Sequence, residues 1–128
     1  MKPHNISPNF WRSKRVLLSG HTGFKGSWLC LWLQSLGAEV CGLALPPPTK
    51  PSLFTDAKVS SGIRNEILDI CNFDAVDFVF QSFRPEIVIH MAAQPLVRFS
   101  YQEPIKTYAT NVMGTVHILE ASRRAKSV

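Results

Sequence analysis

Short apolar runs along the chain alternate with longer stretches of mixed polarity, a pattern that predicts buried strands. The clearest runs lie at 15–19, 39–45 and 87–91, and a more polar segment at 64–70 completes a set of four predicted strands. A strand buried on both faces of a sheet reads as a near-continuous apolar run rather than an alternating one. The pattern therefore favours strands inside a parallel sheet.

Between these runs, apolar residues recur at the i, i+3, i+4, i+7 spacing of one helix face. A first helix is predicted to reach Leu36 and to stop at Gly37, because glycine commonly ends helices in the left-handed conformation. A second is predicted at 72–83 with Asn72 as N-cap, and a third from Pro104 to about residue 126. The predicted buried positions are Leu29, Trp32, Leu33, Leu36, Val76, Val79, Phe80, Phe83, Ala109, Val112, Val116 and Leu119.

Four strands that alternate with three clear helices predict an α/β fold, in which helices cover both faces of a doubly wound parallel sheet. Strand order 3-2-1-4 is the simplest, because parallel crossovers are right-handed. We expect an N-terminal arm at 1–14 and an incomplete Rossmann-type domain at 15–128. Loops are predicted at 46–56 and 92–103, and no clear helix is expected between the second and third strands.

Composition and charge argue against several functions. The chain has 14 basic and 9 acidic residues. The basic residues gather at its two ends rather than in a stripe interleaved with aromatics, which disfavours nucleic-acid binding. Three cysteines without a CxxC spacing predict free thiols in a reducing compartment, and the scattered histidines lack metal-ligand spacing. No signal peptide or membrane span is expected, so we predict a cytoplasmic protein.

Three glycines, Gly20, Gly23 and Gly26, directly follow the first predicted strand and open the first helix. Gly20 permits a tight turn, Gly23 lets the backbone approach a pyrophosphate, and Gly26 lets the helix pack close to the strand. The phosphates would then meet the free N–H groups and the positive dipole end of the helix. The alternative is a plain strand–turn–helix with incidental glycines, but the context favours a dinucleotide site.

The GxxGxxG spacing resembles that of extended short-chain dehydrogenases/reductases, the NAD-dependent epimerase/dehydratase family. Within that family, Gly20-His-Thr-Gly-Phe-Lys-Gly-Ser-Trp28 resembles the glycine loop of CDP-glucose 4,6-dehydratases. The segments Pro51-Ser-Leu-Phe54 and Pro85-Glu-Ile-Val-Ile-His-Met-Ala-Ala-Gln-Pro-Leu-Val-Arg98 resemble the same branch. Thr110-Asn-Val-Met-Gly-Thr-Val116 is similar to a motif of the whole superfamily, and the resemblance covers about 10–128.

The resemblance implies a site for NAD. The helix amides at 24–25 would contact the pyrophosphate, and 69–70 would hold the adenine. The segment 91–95 would line the nicotinamide-side ribose, and Asn111 would brace the loop near the nicotinamide. The implied cofactor-binding residues are Gly20, Thr22, Gly23, Phe24, Lys25, Gly26, Asp69, Ile70, Met91, Ala92, Ala93, Gln94, Pro95 and Asn111.

Several residues have simpler interpretations that the sequence leaves open. Asp69 could be a solvated acid at a strand end, and Asn111 could face solvent. Arg98 could bind the phosphates of a sugar nucleotide or only cover a surface. His21 is expected to face solvent or the diphosphate rather than to act as a general acid, and His90 to be a packed strand residue.

Two departures from the family pattern bear on the cofactor. An acid usually ends the second strand and binds the adenosine ribose 2′-hydroxyl. Here Gly42-Leu-Ala-Leu-Pro-Pro-Pro48 contains no acid, and also no Arg that would select NADP. In addition, Asp69-Ile-Cys-Asn72 stands where the family pattern is Asp-Ile-Arg-Asp. We therefore expect NAD, bound less tightly than usual.

By resemblance, the whole enzyme would convert CDP-glucose to CDP-4-keto-6-deoxyglucose, a lyase reaction of nucleotide-sugar metabolism and lipopolysaccharide O-antigen biosynthesis. The family's proton shuttle is a Tyr with a Lys four residues later, and neither Tyr101 nor Tyr108 has one. The Thr/Ser-Asp-Lys segment of the dehydratases is missing too. We therefore expect a fragment that has no catalytic residue and is inactive alone. Its expected partners are NAD and, in the full-length enzyme, the sugar nucleotide.

Other interpretations remain at this stage. The chain could be a non-catalytic nucleotide-binding module, or part of another family member such as a sugar-nucleotide epimerase. Its oligomeric state is open, with a homo-oligomer as one option. The sequence does not decide whether the chain is a natural short product or a gene fragment.

Overall fold

Four parallel strands form a single sheet in the computed structural model, which describes residues 7–128 (for Pro8, the backbone only). The strands are β1 (Arg15–Ser19), β2 (Glu39–Ala44), β3 (Arg64–Ile67) and β4 (Ile87–His90). Their order is β3-β2-β1-β4, and every neighbouring pair is parallel. The predicted fold class and strand order are confirmed. The first six residues of the predicted arm lie outside the described residues.

Helices connect these strands, and a short one also lies between β2 and β3, at the end of the loop predicted at 46–56, where the sequence predicts no clear helix. They are α1 (Pro8–Trp11), α2 (Phe24–Ser35), α3 (Leu53–Asp56), α4 (Phe73–Phe83), α5 (Val97–Gln102), α6 (Pro104–Tyr108) and α7 (Gly114–Ala125). A 3₁₀ turn at Val59–Gly62 follows α3, and a π turn at Ala109–Met113 joins α6 to α7. The predicted helix from Pro104 therefore exists but contains a π turn. The loop predicted at 92–103 is wrong in its second half, where α5 lies.

Helix ends follow local signals in the sequence. The Asn72 side chain accepts a hydrogen bond from the Ala75 N–H at 3.2 Å and caps α4, as predicted. Gly37 has a φ of +82° and follows the end of α2, where its N–H donates to the Gln34 carbonyl at 2.9 Å. Because Gly37 tolerates this left-handed conformation, the chain can leave α2 and return at once into β2.

Two apolar clusters lie on opposite faces of the sheet. Leu17 of β1 joins the cluster formed with α4 and α7. Val16 and Leu18, its neighbours in the strand, join the cluster formed with α2, because successive side chains of a strand point to opposite faces. In α4 the buried residues are the predicted Val76, Val79 and Phe80. The sheet is therefore covered on both faces, as a doubly wound fold requires.

The buried face of α2 differs from the predicted one. Its buried residues are Gly26, Ser27, Cys30 and Leu33. Of the predicted face only Leu33 is fully buried, whereas Trp32 is 50% exposed and the other two leucines are half-buried. A Cβ on Gly26 would collide with the Gly20 carbonyl oxygen, so small side chains bring this helix close to the end of β1.

The predicted inner face of the last helix is also wrong. The buried residues of α7 are Gly114, Ile118, Ala121 and Ala125. The predicted residues Val112, Val116 and Leu119 are instead 46–64% exposed. Exposed apolar residues of α5 and α6 precede them along the chain, and the whole set is here called the outer stripe. Its members are Tyr101, Ile105, Tyr108, Val112, Val116 and Leu119.

Candidate functional site

The glycine turn after β1 brings the ends of two neighbouring strands together. Gly20 has a φ of +80°, and a Cβ on it would lie 2.8 Å from the Ala92 nitrogen, in the loop after β4. Only glycine fits both the left-handed backbone and this close approach. The predicted role of Gly20 in a tight turn is therefore confirmed.

The N-terminus of α2 opens directly from this turn. Its N-cap is Gly23, which has extended backbone angles and makes no side-chain capping hydrogen bond. The first N–H groups of a helix have no partner within the helix, and the helix dipole makes this end positive. Phe24 is 70% exposed and Lys25 is also exposed, so their side chains leave the approach to these amides open. The arrangement suits an anionic group such as a pyrophosphate.

Thr22 ties the glycine turn to the neighbouring strand. Its hydroxyl donates to the Leu45 carbonyl oxygen at 2.8 Å, one residue beyond the end of β2. The Gly20 N–H donates to the Leu43 carbonyl at 2.9 Å, within β2 itself. These bonds fix the turn relative to the sheet, so the amides at the start of α2 are held in place before any ligand binds.

His21 is buried below the turn rather than exposed to solvent. Its ring lies against Gly42, where a Cβ would collide with ring atoms. Its Nε2 lies 2.6 Å from Asn65 Oδ1, and its ring meets Phe54 edge-on at 5.3 Å between centroids. Burial lowers the pKa of His21, although the hydrogen bond to Asn65 opposes that shift. The expectation that His21 faces solvent or a diphosphate is therefore wrong, and its role is to pack the turn onto β2 and β3.

The turn after β3 is fixed from two sides. Asp69 is exposed, and its Oδ1 accepts from the Cys71 N–H at 2.9 Å. Ile70 is buried in the core against Gly114, where a Cβ would collide with its side chain. His117 Nδ1 lies 2.8 Å from the Ile70 carbonyl oxygen, to which it donates. Ile70 is therefore covered by its neighbours, whereas the Asp69 carboxylate beside it is exposed.

The loop after β4 is held at its beginning and in its middle. Ser19 Oγ accepts from the N–H groups of Met91 and Ala92 at 3.0 and 3.2 Å. Asn111, in the π turn, accepts from the Gln94 N–H at 2.8 Å and donates to the Gln94 carbonyl at 3.1 Å. Asn111 therefore does not face solvent, and it braces the loop as the resemblance implies.

Other predicted residues are more exposed. Ala93 and Pro95 in this loop are exposed, as is Arg98 on α5. Among residues 7–128, hydrogen bonds link neither Asp69 nor Arg98 to the set formed by the glycine turn and the β4 loop. In that same range no group of three metal-ligating side chains occurs. None of the helices described there is long and apolar enough to cross a membrane.

Sequence reasoning missed Ser19, Thr115 and the bonding role of His90. Ser19 is completely buried at the end of an apolar strand, and a buried hydroxyl needs partners. A serine at the end of an apolar strand was therefore the signal in the sequence that could have indicated a hydrogen-bonding role. His90 lies within hydrogen-bond distance of both of the other residues, so it is more than a packed strand residue.

A doubly wound parallel sheet, with a glycine turn after β1 facing a loop after β4, defines a Rossmann-type domain. Domains of this class bind dinucleotides where the strand order reverses, which here is between β1 and β4. The chain belongs to the family whose model is described as GDP-mannose 4,6 dehydratase, and the match spans residues 17–128. The predicted resemblance to sugar-nucleotide dehydratases is thereby confirmed.

Relatives of this chain include sugar-nucleotide 4,6-dehydratases and sugar-nucleotide 4-epimerases. CDP-glucose 4,6-dehydratase of Salmonella typhimurium is 54% identical over 123 residues, which cover 96% of this chain and 34% of the relative. GDP-mannose 4,6-dehydratase of Vibrio cholerae is 30% identical over 120 residues, 86% of this chain and 31% of the relative. The chain therefore spans about a third of the length of these relatives.

Solved structures show the same fold. UDP-glucose 4-epimerase of Thermus thermophilus, a complex with NAD, has a TM-score of 0.78 at 32% identity, covering 88% of this chain and 35% of that one. UDP-glucose 4-epimerase of Brucella ovis, also a complex with NAD, has a TM-score of 0.77 at 25% identity and covers 90% of this chain and 34% of that one.

Proposed function

We propose that this chain is the NAD-binding part of a sugar-nucleotide 4,6-dehydratase that acts on CDP-glucose. The observation that carries the proposal is the glycine turn, which opens the N-terminus of α2 directly beside the loop after β4. The 54% identity to a CDP-glucose 4,6-dehydratase supports that particular sugar nucleotide. The activity belongs to a protein about three times as long.

The residues present fit a dinucleotide. The uncapped amides at Phe24 and Lys25 would bind the pyrophosphate, and the Asp69 carboxylate would accept from the adenine amine. The braced loop at 91–95 would line the nicotinamide-side ribose. Bound NAD would supply the hydride acceptor for oxidation at sugar C4 and the donor for reduction at C6. This chain's own share is to bind the cofactor, orient it and keep the loop in place.

The preference for NAD over NADP is expected to be modest. No acid stands at the end of β2 to bind the adenosine ribose 2′-hydroxyl, and no Arg stands there to pair with a 2′-phosphate. At this place Ala44 is buried and Leu45 is 56% exposed. Without a charged contact on the ribose, discrimination between the two cofactors would rest on space alone.

Catalysis would need residues outside these 128. Positioned acid–base groups typically supply factors of about 10² to 10⁴ in rate, and neither tyrosine of this chain has a lysine four residues later. We expect no dehydration of CDP-glucose by this chain alone. In the longer protein, Arg98 on the exposed side of α5 would contact the phosphates of the sugar nucleotide.

The proposed setting is the cytoplasm, with a homo-oligomer as one option for assembly. The outer stripe suits the second part, since its members are 46–85% exposed and large exposed apolar residues occur at interaction surfaces. The reduced cysteines, two of them buried, are compatible with the first part.

Calorimetry with NAD and ADP-ribose tests the proposed function. The wild-type chain should bind both, and Gly23→Val should lose binding because a branched side chain would occupy the place of the pyrophosphate. Gly37→Asn is the matched control: it changes another glycine, keeps the left-handed conformation and lies at the far end of α2. Equal affinity of the wild type and Gly23→Val, or no binding by the wild type, would contradict the proposal.

A further inference from the structure

His90, the last residue of β4, makes hydrogen bonds through both ring nitrogens. Its Nδ1 lies 2.6 Å from Ser19 Oγ, and its Nε2 lies 3.0 Å from Thr115 Oγ1 at the start of α7. The Thr115 hydroxyl in turn donates to the Asn111 carbonyl at 2.7 Å. A continuous chain of hydrogen bonds therefore runs from β1 through β4 to the π turn.

The number of hydrogens on each group determines which atom donates in each of these hydrogen bonds. Ser19 has one hydroxyl hydrogen and two lone pairs, and the Met91 and Ala92 N–H groups occupy the lone pairs, the Met91 N–H being shared with the Ser19 carbonyl oxygen at 3.2 Å. Its hydrogen must therefore go to His90 Nδ1, which cannot carry a proton. The proton of the neutral ring then lies on Nε2 and is donated to Thr115. Burial lowers the pKa of His90, which favours this neutral form.

The two ends of this series of hydrogen bonds, Ser19 and Asn111, both contact the β4 loop. Ser19 holds its beginning at Met91 and Ala92, and Asn111 holds its middle at Gln94. The Asn111 side chain makes that contact while its own carbonyl accepts from Thr115. His90 is the link between the two anchors. If Nδ1 carried a proton, in the other neutral tautomer or in the charged ring, the Ser19 hydroxyl would lose its hydrogen-bond acceptor. The contacts of Ser19 with Met91 and Ala92 would then be disturbed.

We propose that His90, as the neutral ring with its proton on Nε2, is a positioning residue that sets the β4 loop for the nicotinamide-side half of the cofactor. This inference rests on the proposed function. Its consequence is selective: His90 affects the part of the ligand near 91–95 and leaves the adenosine part, on the glycine turn and the β3 turn, unaffected.

The test compares two ligands on one chain. ADP probes the adenosine and diphosphate contacts, and NAD probes these together with the β4 loop. His90→Leu should weaken NAD binding about tenfold, the effect of losing roughly one net hydrogen bond, and leave the affinity for ADP unchanged. His90→Asn, whose side-chain oxygen can replace Nδ1 as acceptor for Ser19, should recover most of the loss.

His117→Leu is the matched control. His117 is another half-buried histidine of the same region, but it donates to the Ile70 carbonyl on the adenine side. Its replacement should weaken ADP and NAD alike and leave their ratio unchanged. A wild type that binds neither ligand would overturn the proposed function and this inference together. A wild type that binds both, with His90→Leu altering both equally or neither, would overturn the inference alone.

A second measurement does not depend on any variant or ligand. Nitrogen-15 NMR of the wild-type chain at neutral pH distinguishes the two neutral tautomers and the charged ring. We expect a protonated Nε2 and an unprotonated Nδ1 for His90. A proton on Nδ1, in either the other tautomer or the imidazolium, would overturn the proposal even if His90→Leu does not fold.

Discussion

The packing of His21 against Gly42 gives a sharp test of how the glycine turn is supported. Gly42 lies in the middle of β2 and is completely surrounded, and a Cβ there would collide with the His21 ring. The ring cannot easily move away, since Asn65 Oδ1 lies 2.6 Å from its Nε2 and the Phe54 ring meets it edge-on at 5.3 Å between centroids. Gly42→Ala should therefore force a shift of the glycine turn or of the sheet.

The size of the effect follows from the kind of contact. Overpacking a buried site by one methyl group typically costs about 1 to 3 kcal/mol of unfolding free energy. His21→Ala should cost about 2 to 4 kcal/mol, because it removes a buried ring and leaves a cavity. In the double variant the new methyl group occupies part of the space that the ring left. The loss of unfolding free energy in the double variant should then be smaller than the sum of the two single losses by about 1 to 3 kcal/mol.

Urea unfolding followed by circular dichroism would measure all four free energies. Gly23→Ala, in the glycine turn, is the control for adding a methyl group without a collision, because its Cβ would lie 3.4 Å from the Gly20 carbonyl oxygen, an ordinary contact. It should cost no more than about 1 kcal/mol. Strict additivity of Gly42→Ala and His21→Ala, or a Gly42→Ala cost no larger than that of Gly23→Ala, would refute the packing argument.

Two further predictions concern titratable groups. Burial lowers the pKa of His21 and His90, so the unfolded chain binds more protons than the folded chain. The unfolding free energy should therefore be highest above the usual imidazole pKa of about 6.5 and decrease as the pH falls below it. Equal unfolding free energies at pH 7.5 and 5.5 would contradict this. Burial raises the pKa of Cys30 and Cys41 to about 12, and only Cys71 is partly exposed. A thiol reagent at pH 8 should therefore modify one cysteine of the native chain slowly and three in urea, and rapid modification of two or more in the native chain would contradict it.

The elements that position the site could be predicted because their signals are local. A buried parallel strand needs apolar residues on both faces, which makes the run at 15–19 easy to recognise. Gly20 follows that run directly, and its left-handed backbone is one that glycine adopts far more readily than other residues. Asn72 precedes a helical repeat and forms the N-cap that its side chain favours. Each of these features depends on a few neighbouring residues.

The missed features depend on contacts between distant parts of the chain. Helix α5 has six residues, too few to show a helical repeat, and the π turn that carries Asn111 has no local signature. The partners of His90 are 71 and 25 residues away. Neither composition nor spacing could indicate that these three side chains meet. The resemblance to a family motif nevertheless predicted that Asn111 braces the β4 loop, as its hydrogen bonds to the Gln94 backbone show.

The wrong helix faces share one physical cause. Sequence periodicity selects the largest apolar residues as the buried ones, such as Trp32 and Leu119, yet both are at least half exposed. The buried faces carry small residues beside Leu33 and Ile118, with Gly26 against the glycine turn and Gly114 against Ile70. A Cβ at either glycine would collide with these neighbours, so the close approach of each helix leaves no room for bulk there. Because periodicity weighs apolar size and not closeness of approach, it selects the wrong face in both helices.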